Sequence, residues 1–375
     1  MDAWSPYGME VSGHQSRARS YLIKADIPFH ERGFNTAHYM TEVLPKAGGL
    51  RTMPTLEFAD GTVIRDSNAI IDHFEEKSGN TFSPSTPKQR FFSYLFDVVA
   101  CEGLLRPGMH YRWNFDAENR AFLESQTRLM LPKGLDGVDQ ILEAAHNQMR
   151  AATKKFGVNP DTYGLIEELY AEQLAAFDAH FSAYPYLLGG RPCRGDFGLM
   201  IWLHPHLGRD PKPLSIMQKD AMAVLRYTER MNQRESDWIE FPNWEGEDAY
   251  LENDEIPDTL VTMARVMAED FVPETLAAAE AINTWLFEEG EKVSDTFVER
   301  GLGFGEFDLR GKTISALAQP YRFYRLKRAQ DEYDAMGAED KRALEALLDA
   351  CNMRPILDAK LSREIGWKDN REIWL

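Results

Sequence analysis

The chain has 375 residues and a formal net charge of −18, and these two numbers exclude several classes of protein. Nucleic-acid binding needs clustered cations, which an acidic chain of this kind lacks. There is no run of about eighteen apolar residues, so no membrane-spanning helix is expected. Three widely spaced cysteines (Cys101, Cys193 and Cys351) give no disulfide framework and no Cys-x-x-Cys site, and the start of the chain has no signal-peptide pattern. We therefore expect a cytoplasmic protein of two or three domains.

Strand-like and helix-like signals alternate over the first eighty residues. The segment SPYGMEVS is a candidate strand, and residues 15–25 and 38–46 are candidate helices. In the stretch RTMPTLEFADGTVIRDSNAIIDHFEE, alternating apolar residues flank Asp60-Gly61, a pair typical of tight hairpins. Ser67 follows as a predicted N-cap for a helix. Such an order predicts a small mixed sheet with helices on both faces.

Beyond a Gly/Ser/Pro-rich linker at residues 79–89 the strand signals nearly vanish. The sequence predicts a division into residues 1–82, residues 83–234 with only helices, and an α-rich extension at residues 235–375. The extension opens with the acidic run 235–258, for which a solvated connector is expected rather than a cation site. Predicted helices cover residues 89–105, 163–181, 194–204, 215–231, 259–288 (interrupted by Pro273), 321–336 and 338–352, and GLGFGEFDLRG is read as a short strand between glycine turns.

Two features of the stretch at residues 51–76 fit one small peptide ligand. If the bond before Pro54 is cis, Met53 turns its backbone N–H and C=O outward, where an extended thiol peptide can pair with them. Asp66 and Ser67 lie at the start of the following helix. A free α-carboxylate is well held by a serine hydroxyl and a helix N-terminus, and an aspartate can bind the adjacent ammonium group. Each residue alone is more simply an edge proline or an N-cap, but together they favour ligand binding.

The segment MPTLEFADGTVIRDSNAI resembles the glutathione-binding signature of the glutathione transferase superfamily. A second segment, YLLGGRPCRGDFGLMIWLHPHL, is similar to that family's capping motif, with Asp196 in the aspartate position. Cys193 replaces the usual hydroxyl residue, so Asp196 is expected to do more of the capping. The resemblance covers residues 7–231. It implies a thioredoxin-like N-terminal domain followed by an all-helical domain, glutathione as co-substrate with Met53, Pro54, Asp66 and Ser67 binding it, and a homodimer.

In this superfamily the group that activates the thiol lies near the start of the first helix. Ser12 is the first candidate here, because its distance from the cations of that helix matches the family pattern, and its hydroxyl would donate to the sulfur. The alternative is that Ser12 is only an N-cap. Tyr7, Ser16 and His14 are further candidates. No cysteine lies between residues 12 and 15, which argues against thiol-disulfide exchange.

The acceptor substrate is expected between the two domains. The cluster Tyr111, Arg112 and Trp113 could line its site and suits a hydrophobic, aromatic electrophile, although core packing with a structural ion pair is the alternative. The basic helix at residues 319–333 is predicted to pair with acidic neighbours, and His204-Pro-His206 is a poor metal motif.

Three functions are compatible with these residues and with the resemblance. The first is a glutathione transferase-like enzyme, in which the thiolate attacks an electrophilic carbon in conjugation, ether cleavage, dehalogenation or isomerisation. The second is a non-catalytic binding or scaffold protein that keeps the fold. The third is a glutathione-dependent carrier of hydrophobic ligands.

Overall fold

The computed structural model describes residues 5–131, 134–234, 239–242 and 248–375. Its N-terminal part is built on a three-stranded antiparallel sheet of order β1-β2-β3, and an isolated parallel bridge joins Arg32 to Tyr7 at the outer edge. The strands are β1 Ser5–Tyr7, β2 Thr55–Glu57 and β3 Val63–Arg65. The helices are α1 Gly13–Lys24, a π-helical turn Tyr39–Val43 that leads into α2 Leu44–Lys46, and α3 Ser67–Ser78.

Apolar side chains at strand and helix spacing hold this sheet between helices. Leu22 of α1, Leu56 of β2 and Ile71 of α3 are fully buried, and burial of such a side chain contributes about 1.5–3 kcal/mol. The hairpin at Asp60-Gly61 forms as predicted, with Glu57 paired to Val63. The thioredoxin-like N-terminal architecture that the sequence predicted is confirmed.

The prediction that Ser67 caps α3 is wrong by one residue. Asp66 is the N-cap: its Oδ1 accepts hydrogen bonds from the backbone N–H of Asn68 at 2.7 Å and of Ala69 at 3.4 Å. Asp66 has φ 85° and ψ 139°, a conformation that residues other than glycine rarely adopt. Ser67 is therefore the first helical residue, and its hydroxyl is not needed for capping.

Residues 83–234 contain only helices among the elements described, as the sequence predicted. Three of these helices were missed. Helix α5 (Leu105–Trp113) directly follows the predicted helix at 89–105, and α6 (Asp116–Arg128) and α7 (Val138–Thr153) bury few side chains. The predicted helix at 215–231 is in fact two helices. The elements are α4 Pro87–Gly103, α5 Leu105–Trp113, α6 Asp116–Arg128, α7 Val138–Thr153, α8 Tyr163–Ala183, α9 Arg194–Leu199, α10 Pro211–Asp220 and α11 Met222–Met231.

Asp196 stabilises the start of α9 as the sequence predicted. Its carboxylate accepts from the backbone N–H of Cys193 at 2.7 Å and of Leu187 at 3.1 Å, and from the Tyr227 hydroxyl at 3.0 Å. Because all of these groups are buried, the carboxylate also ties the preceding loop and α11 to this helix.

The C-terminal extension combines helices with two hairpins that the sequence pattern did not predict as such. One of its helices runs through Pro273 without a break, because side chains packed on both sides of the proline are buried and outweigh the lost backbone bond. The elements are α12 Asp258–Glu289, β4 Phe304–Leu309, β5 Lys312–Leu317, α13 Pro320–Ala335, α14 Ala338–Ala350, β6 Ile365–Lys368 and β7 Arg371–Trp374.

The acidic run 235–258 lies partly outside the described residues, which omit 235–238 and 243–247. In the part that is described, Asp254 accepts hydrogen bonds at 2.9 Å from the backbone N–H groups of Lys88 and Gln89 at the start of α4. Ile256 is buried. This end of the run is therefore packed against the helices, and the expectation of a solvated connector is wrong for it. Within the described ranges, no helix is long and apolar enough to cross a membrane.

Candidate functional site

The loop before β2 presents an open backbone edge at Met53. The Met53–Pro54 peptide bond is cis, and Met53 is partly exposed. Within the described residues, no hydrogen bond is made to the backbone N–H or C=O of Met53. The Pro54 carbonyl accepts from the N–H of Asp66 at 3.0 Å, so this edge and the start of α3 form one unit.

The start of α3 brings Asp66 and Ser67 to the same edge, but the two side chains differ in access. Asp66 is partly exposed, and while its Oδ1 caps the helix, its second oxygen accepts no hydrogen bond from the described residues. Ser67 is fully buried, and its hydroxyl oxygen accepts from Nη1 of Arg17 at 3.1 Å. Because the oxygen of Ser67 accepts this bond, its hydroxyl hydrogen can be donated to an anion. Ser67 is buried, so such an anion must itself be buried against it.

Two of the candidate thiol activators have occupied hydroxyl groups. Tyr7 is buried and donates to Oε2 of Glu57 at 2.7 Å. Burial and the neighbouring Glu57 carboxylate raise the pKa of Tyr7 to about 12, which makes it a poor partner for a thiolate. Ser16 is buried and bonds to Nδ1 of His204 at 2.8 Å. Neither residue presents a free hydroxyl to the edge at Met53.

Ser12 and His14 are the candidates that keep free polar atoms. Ser12 occupies the N-cap position of α1 by its backbone, with φ −88° and ψ 128°, yet its side chain makes no capping bond. Its partly exposed hydroxyl is therefore available, and the simple N-cap alternative does not account for it. His14 is partly exposed, and its Nδ1 is buried without a partner in the described chain. Burial lowers the pKa of His14 to about 4, although Asp66 acts in the opposite direction, so the imidazole is neutral at pH 7.

Five residues behind this edge were not assigned to the site by sequence reasoning. Nη2 of Arg17 pairs with Oδ1 of Asp97 at 2.7 Å, and Nη2 of Arg325 pairs with the same oxygen at 3.1 Å. Asn68 donates from Nδ2 to the hydroxyl of Tyr321 at 2.7 Å. The predicted pairing of the basic helix with acidic neighbours is confirmed by the Arg325–Asp97 pair. Tyr321 and Arg325 gave no signal of a site in the sequence, because they lie about 250 residues from Ser67 along the chain.

The comparisons with known proteins agree with this geometry. Residues 7–82 match the sequence model of the glutathione S-transferase N-terminal domain. This part of the chain is therefore a glutathione S-transferase N-terminal domain. A search of curated proteins returned no match.

Similar solved structures include glutathione transferase GSTFuA3 from Phanerochaete chrysosporium, with 15% identity, a TM-score of 0.44, and coverage of 63% of this chain and 98% of that one. A theta class glutathione S-transferase from Xanthomonas axonopodis pv. citri, solved with glutathione bound, has 20% identity, a TM-score of 0.30, and coverage of 53% of this chain and 80% of that one. A glutathione S-transferase from Methylobacterium radiotolerans, in complex with glutathione sulfonate, has 14% identity, a TM-score of 0.37, and coverage of 68% and 100%.

The cluster Tyr111, Arg112 and Trp113 does not line an open acceptor site in this transferase fold. All three side chains are buried. Arg112 makes a bidentate pair with Asp210 at 2.7 and 2.9 Å and also donates to the Pro205 carbonyl at 2.5 Å. The alternative of core packing with a structural ion pair is the correct one, because the guanidinium has no donor left for a substrate.

Arg112 nevertheless acts on the site from a distance. Its Nη1 donates to the carbonyl of Val11 at 2.8 Å, and Val11 directly precedes Ser12. The buried pair with Asp210 therefore fixes the end of the β1–α1 loop and with it the position of the Ser12 backbone.

A cavity of about 280 Å³ lies beside the same loop. One wall is the loop itself, at residues 8–11, together with residues 31–35, and the other is the end of α6 with the residues that follow it. Leu129 and Met130 give this second wall an apolar surface. The cavity thus joins the N-terminal part to the helical part, as was expected for the acceptor site, but it involves other residues than those predicted.

The three cysteines are all free and buried. Burial raises the pKa of Cys101 to about 12 and that of Cys351 to about 11, and it also raises that of Cys193. Because the thiolate is the nucleophile, none of these groups is suited to attack a disulfide at pH 7.

Proposed function

We propose that the protein is a glutathione-dependent transferase-like enzyme, in which the thiolate of glutathione attacks an electrophilic carbon of a hydrophobic, aromatic small molecule. The observation that carries this proposal is the free hydroxyl of Ser12 at the start of α1, in a domain that matches the glutathione S-transferase N-terminal domain. Conjugation, ether cleavage, dehalogenation and isomerisation all start from the same thiolate and are all compatible with this site.

In this proposal glutathione extends along the edge at Met53. The cysteinyl backbone of the peptide pairs with the free N–H and C=O of Met53 next to Pro54, as a short added strand. The α-amino group of its γ-glutamyl end is held by Asp66, and the α-carboxylate by Ser67 and the N-terminus of α3. The match of residues 7–82 to the glutathione S-transferase N-terminal domain supports glutathione as the co-substrate.

Ser12 stabilises the bound thiolate by donating its hydroxyl hydrogen to the sulfur. A free thiol has a pKa of about 8.5, and a hydrogen bond together with the N-terminus of α1 lowers it toward neutrality. Buried cysteines throughout the described chain support the assignment of the nucleophile to glutathione rather than to the protein.

The acceptor is placed in the cavity beside the β1–α1 loop. Its apolar wall at Leu129 and Met130 suits an aromatic ring, and the loop at residues 8–11 leads directly to Ser12. The volume of about 280 Å³ is near the lower end of the range for small-molecule sites.

The thiolate band of bound glutathione in the ultraviolet tests this proposal. We expect the band in the wild type and its loss in Ser12→Ala, while Ser16→Ala serves as the matched control because its hydroxyl is already bound to His204. A band of equal size in Ser12→Ala would remove Ser12 from the catalytic role. Binding of glutathione without turnover of aromatic electrophiles would instead favour the ligand carrier, and no binding would favour the scaffold protein.

Three broader expectations remain proposals. They are the division of the chain at residues 82 and 234, a homodimer, and a cytoplasmic location. Sedimentation of the full chain tests the dimer, and limited proteolysis tests the division.

A further inference from the structure

The C-terminal extension forms part of the wall around the glutathione edge. The first turn of α13 places the Tyr321 hydroxyl 2.7 Å from Nδ2 of Asn68 in the first turn of α3. The hairpin of β6 and β7 binds Arg65 of β3. The Asn370 carbonyl in its turn accepts from Nε of Arg65 at 2.5 Å, and Glu372 of β7 pairs with the same guanidinium at 2.8 Å. Two separate segments of the extension therefore contact the strand and the helix on either side of Asp66.

Two buried arginines that share one carboxylate lie behind this wall. Arg17 of α1 and Arg325 of α13 share one carboxylate, Asp97, and the three side chains are at most 2% exposed. Nε of both arginines and Nη1 of Arg325 are also buried and have no hydrogen-bond partner in the described parts of the chain. A buried cation that lacks its counter-ion is costly. Asp66 and Glu102 also act on Arg17 and Arg325 respectively, but neither carboxylate bonds to these free N–H groups, which therefore favour an anion beside the cluster.

The polar atoms of Ser67, Asn68 and Tyr321 beside these arginines suit the amino-acid end of a peptide. Because Asn68 donates to the oxygen of Tyr321, the hydroxyl hydrogen of Tyr321 is free to donate to an anion. The hydroxyl hydrogen of Ser67 is free for the same reason, since Arg17 donates to its oxygen. Oδ1 of Asn68 is buried without a partner in the described chain and, with the second oxygen of Asp66, can accept from an ammonium group. Donors and acceptors are thus placed for a carboxylate and an ammonium side by side.

We propose that the extension completes the glutathione site within one chain, with Tyr321 donating to the γ-glutamyl α-carboxylate. The guanidinium groups of Arg17 and Arg325 stabilise that carboxylate from behind. This inference rests on the proposed binding of glutathione. It gives residues 320–335 a specific role in ligand recognition, namely selection of a peptide with a free α-amino acid end.

Calorimetric titration with two ligands tests the proposal. The ligands are glutathione and γ-aminobutyryl-cysteinyl-glycine, which lacks only the α-carboxylate. The Tyr321→Phe variant removes only the hydroxyl and keeps the ring, and Tyr324→Phe is the matched control on the same helix, with its ring stacked 5.6 Å from that of Tyr321. We expect Tyr321→Phe to weaken glutathione binding about tenfold, as for loss of a hydrogen bond to a charged group. The decarboxylated peptide should bind Tyr321→Phe and the wild type equally, and Tyr324→Phe should match the wild type with both ligands.

The outcomes separate this inference from the proposed function. If the wild type binds no glutathione, the proposed function itself fails. If the wild type binds it and Tyr321→Phe binds it equally well, the role of the extension is wrong and the proposed function stands. An equal loss for both ligands in Tyr321→Phe would overturn the carboxylate contact and leave the hydroxyl a packing role. Matching near-ultraviolet circular dichroism of the two variants controls for folding.

Discussion

Replacement of Arg112 by methionine tests whether the buried pair with Asp210 is structural. Methionine fills much of the same volume but leaves the Asp210 carboxylate buried without its partner. Removal of one member of a buried ion pair costs about 3–5 kcal/mol. The carbonyls of Val11 and Pro205 also lose their donor, so we expect the free energy of unfolding at pH 7 to fall by at least about 3 kcal/mol. Burial already raises the pKa of Asp210 against the opposing effect of Arg112.

Urea unfolding followed by circular dichroism measures this loss. Without Arg112, burial is opposed only by the weaker effect of Arg209 and raises the pKa of Asp210 further, so the folded variant binds a proton that the unfolded chain releases. The loss of unfolding free energy in Arg112→Met relative to the wild type should therefore shrink as the pH is lowered from 7 to 5. The double variant Arg112→Met/Asp210→Asn should lose less stability than Arg112→Met alone.

Arg120→Met is the matched control, because Arg120 pairs with Glu124 and Glu143 at an exposed position. Its loss should stay below about 1 kcal/mol. The structural role of Arg112 would be refuted if Arg112→Met lost no more stability than Arg120→Met and showed a raised KM for the acceptor. That result would return Arg112 to the substrate site.

Two further predictions concern Tyr7 and the buried histidines. Tyr7→Phe removes one hydrogen bond to Glu57 and should cost about 1 kcal/mol of stability. The thiol pKa of bound glutathione, read from the ultraviolet thiolate band, should stay unchanged. A raised thiol pKa would contradict the assignment of thiol activation to Ser12. Burial lowers the pKa of His204 to about 4 and that of His180 to about 3. Below pH 6.5 only the unfolded chain protonates these groups, so each should cost about 1.4 kcal/mol of stability between pH 7.5 and 5.5. Urea unfolding at both pH values measures this loss. In His204→Asn the fall in unfolding free energy between pH 7.5 and 5.5 should be smaller by about 1.4 kcal/mol. An equal fall in His204→Asn and the wild type would contradict the prediction.

The N-terminal fold and the edge at residues 53–67 could be predicted because their signals are local. The hairpin pair, the proline and the Asp-Ser dipeptide lie within a few residues of one another, and each has a narrow range of structural meanings. The capping role of Asp196 was predictable for the same reason. The exchange of roles between Asp66 and Ser67 was not, because both are good N-cap residues and only the backbone conformation decides between them.

The residues behind the edge at Met53 could not be predicted, because they come together only through tertiary packing. Arg325 was one cation of a helix that was predicted to pair with acidic neighbours, and nothing in the sequence places it on the same carboxylate as Arg17. The cluster at Tyr111–Trp113 shows the opposite case: its composition suits a substrate site, but burial decides its role. Composition predicts what a group can bind, whereas access depends on the packing of the whole chain.

Calorimetric titration of glutathione into the wild-type protein and into Ser67→Ala is the decisive test of glutathione binding at the edge formed by residues 53–67. We expect saturable binding to the wild type, and much weaker binding to Ser67→Ala, which loses both the hydroxyl donor and one hydrogen-bond acceptor of Arg17. An absence of binding to the wild type would contradict the proposed function and leave a transferase fold without its co-substrate.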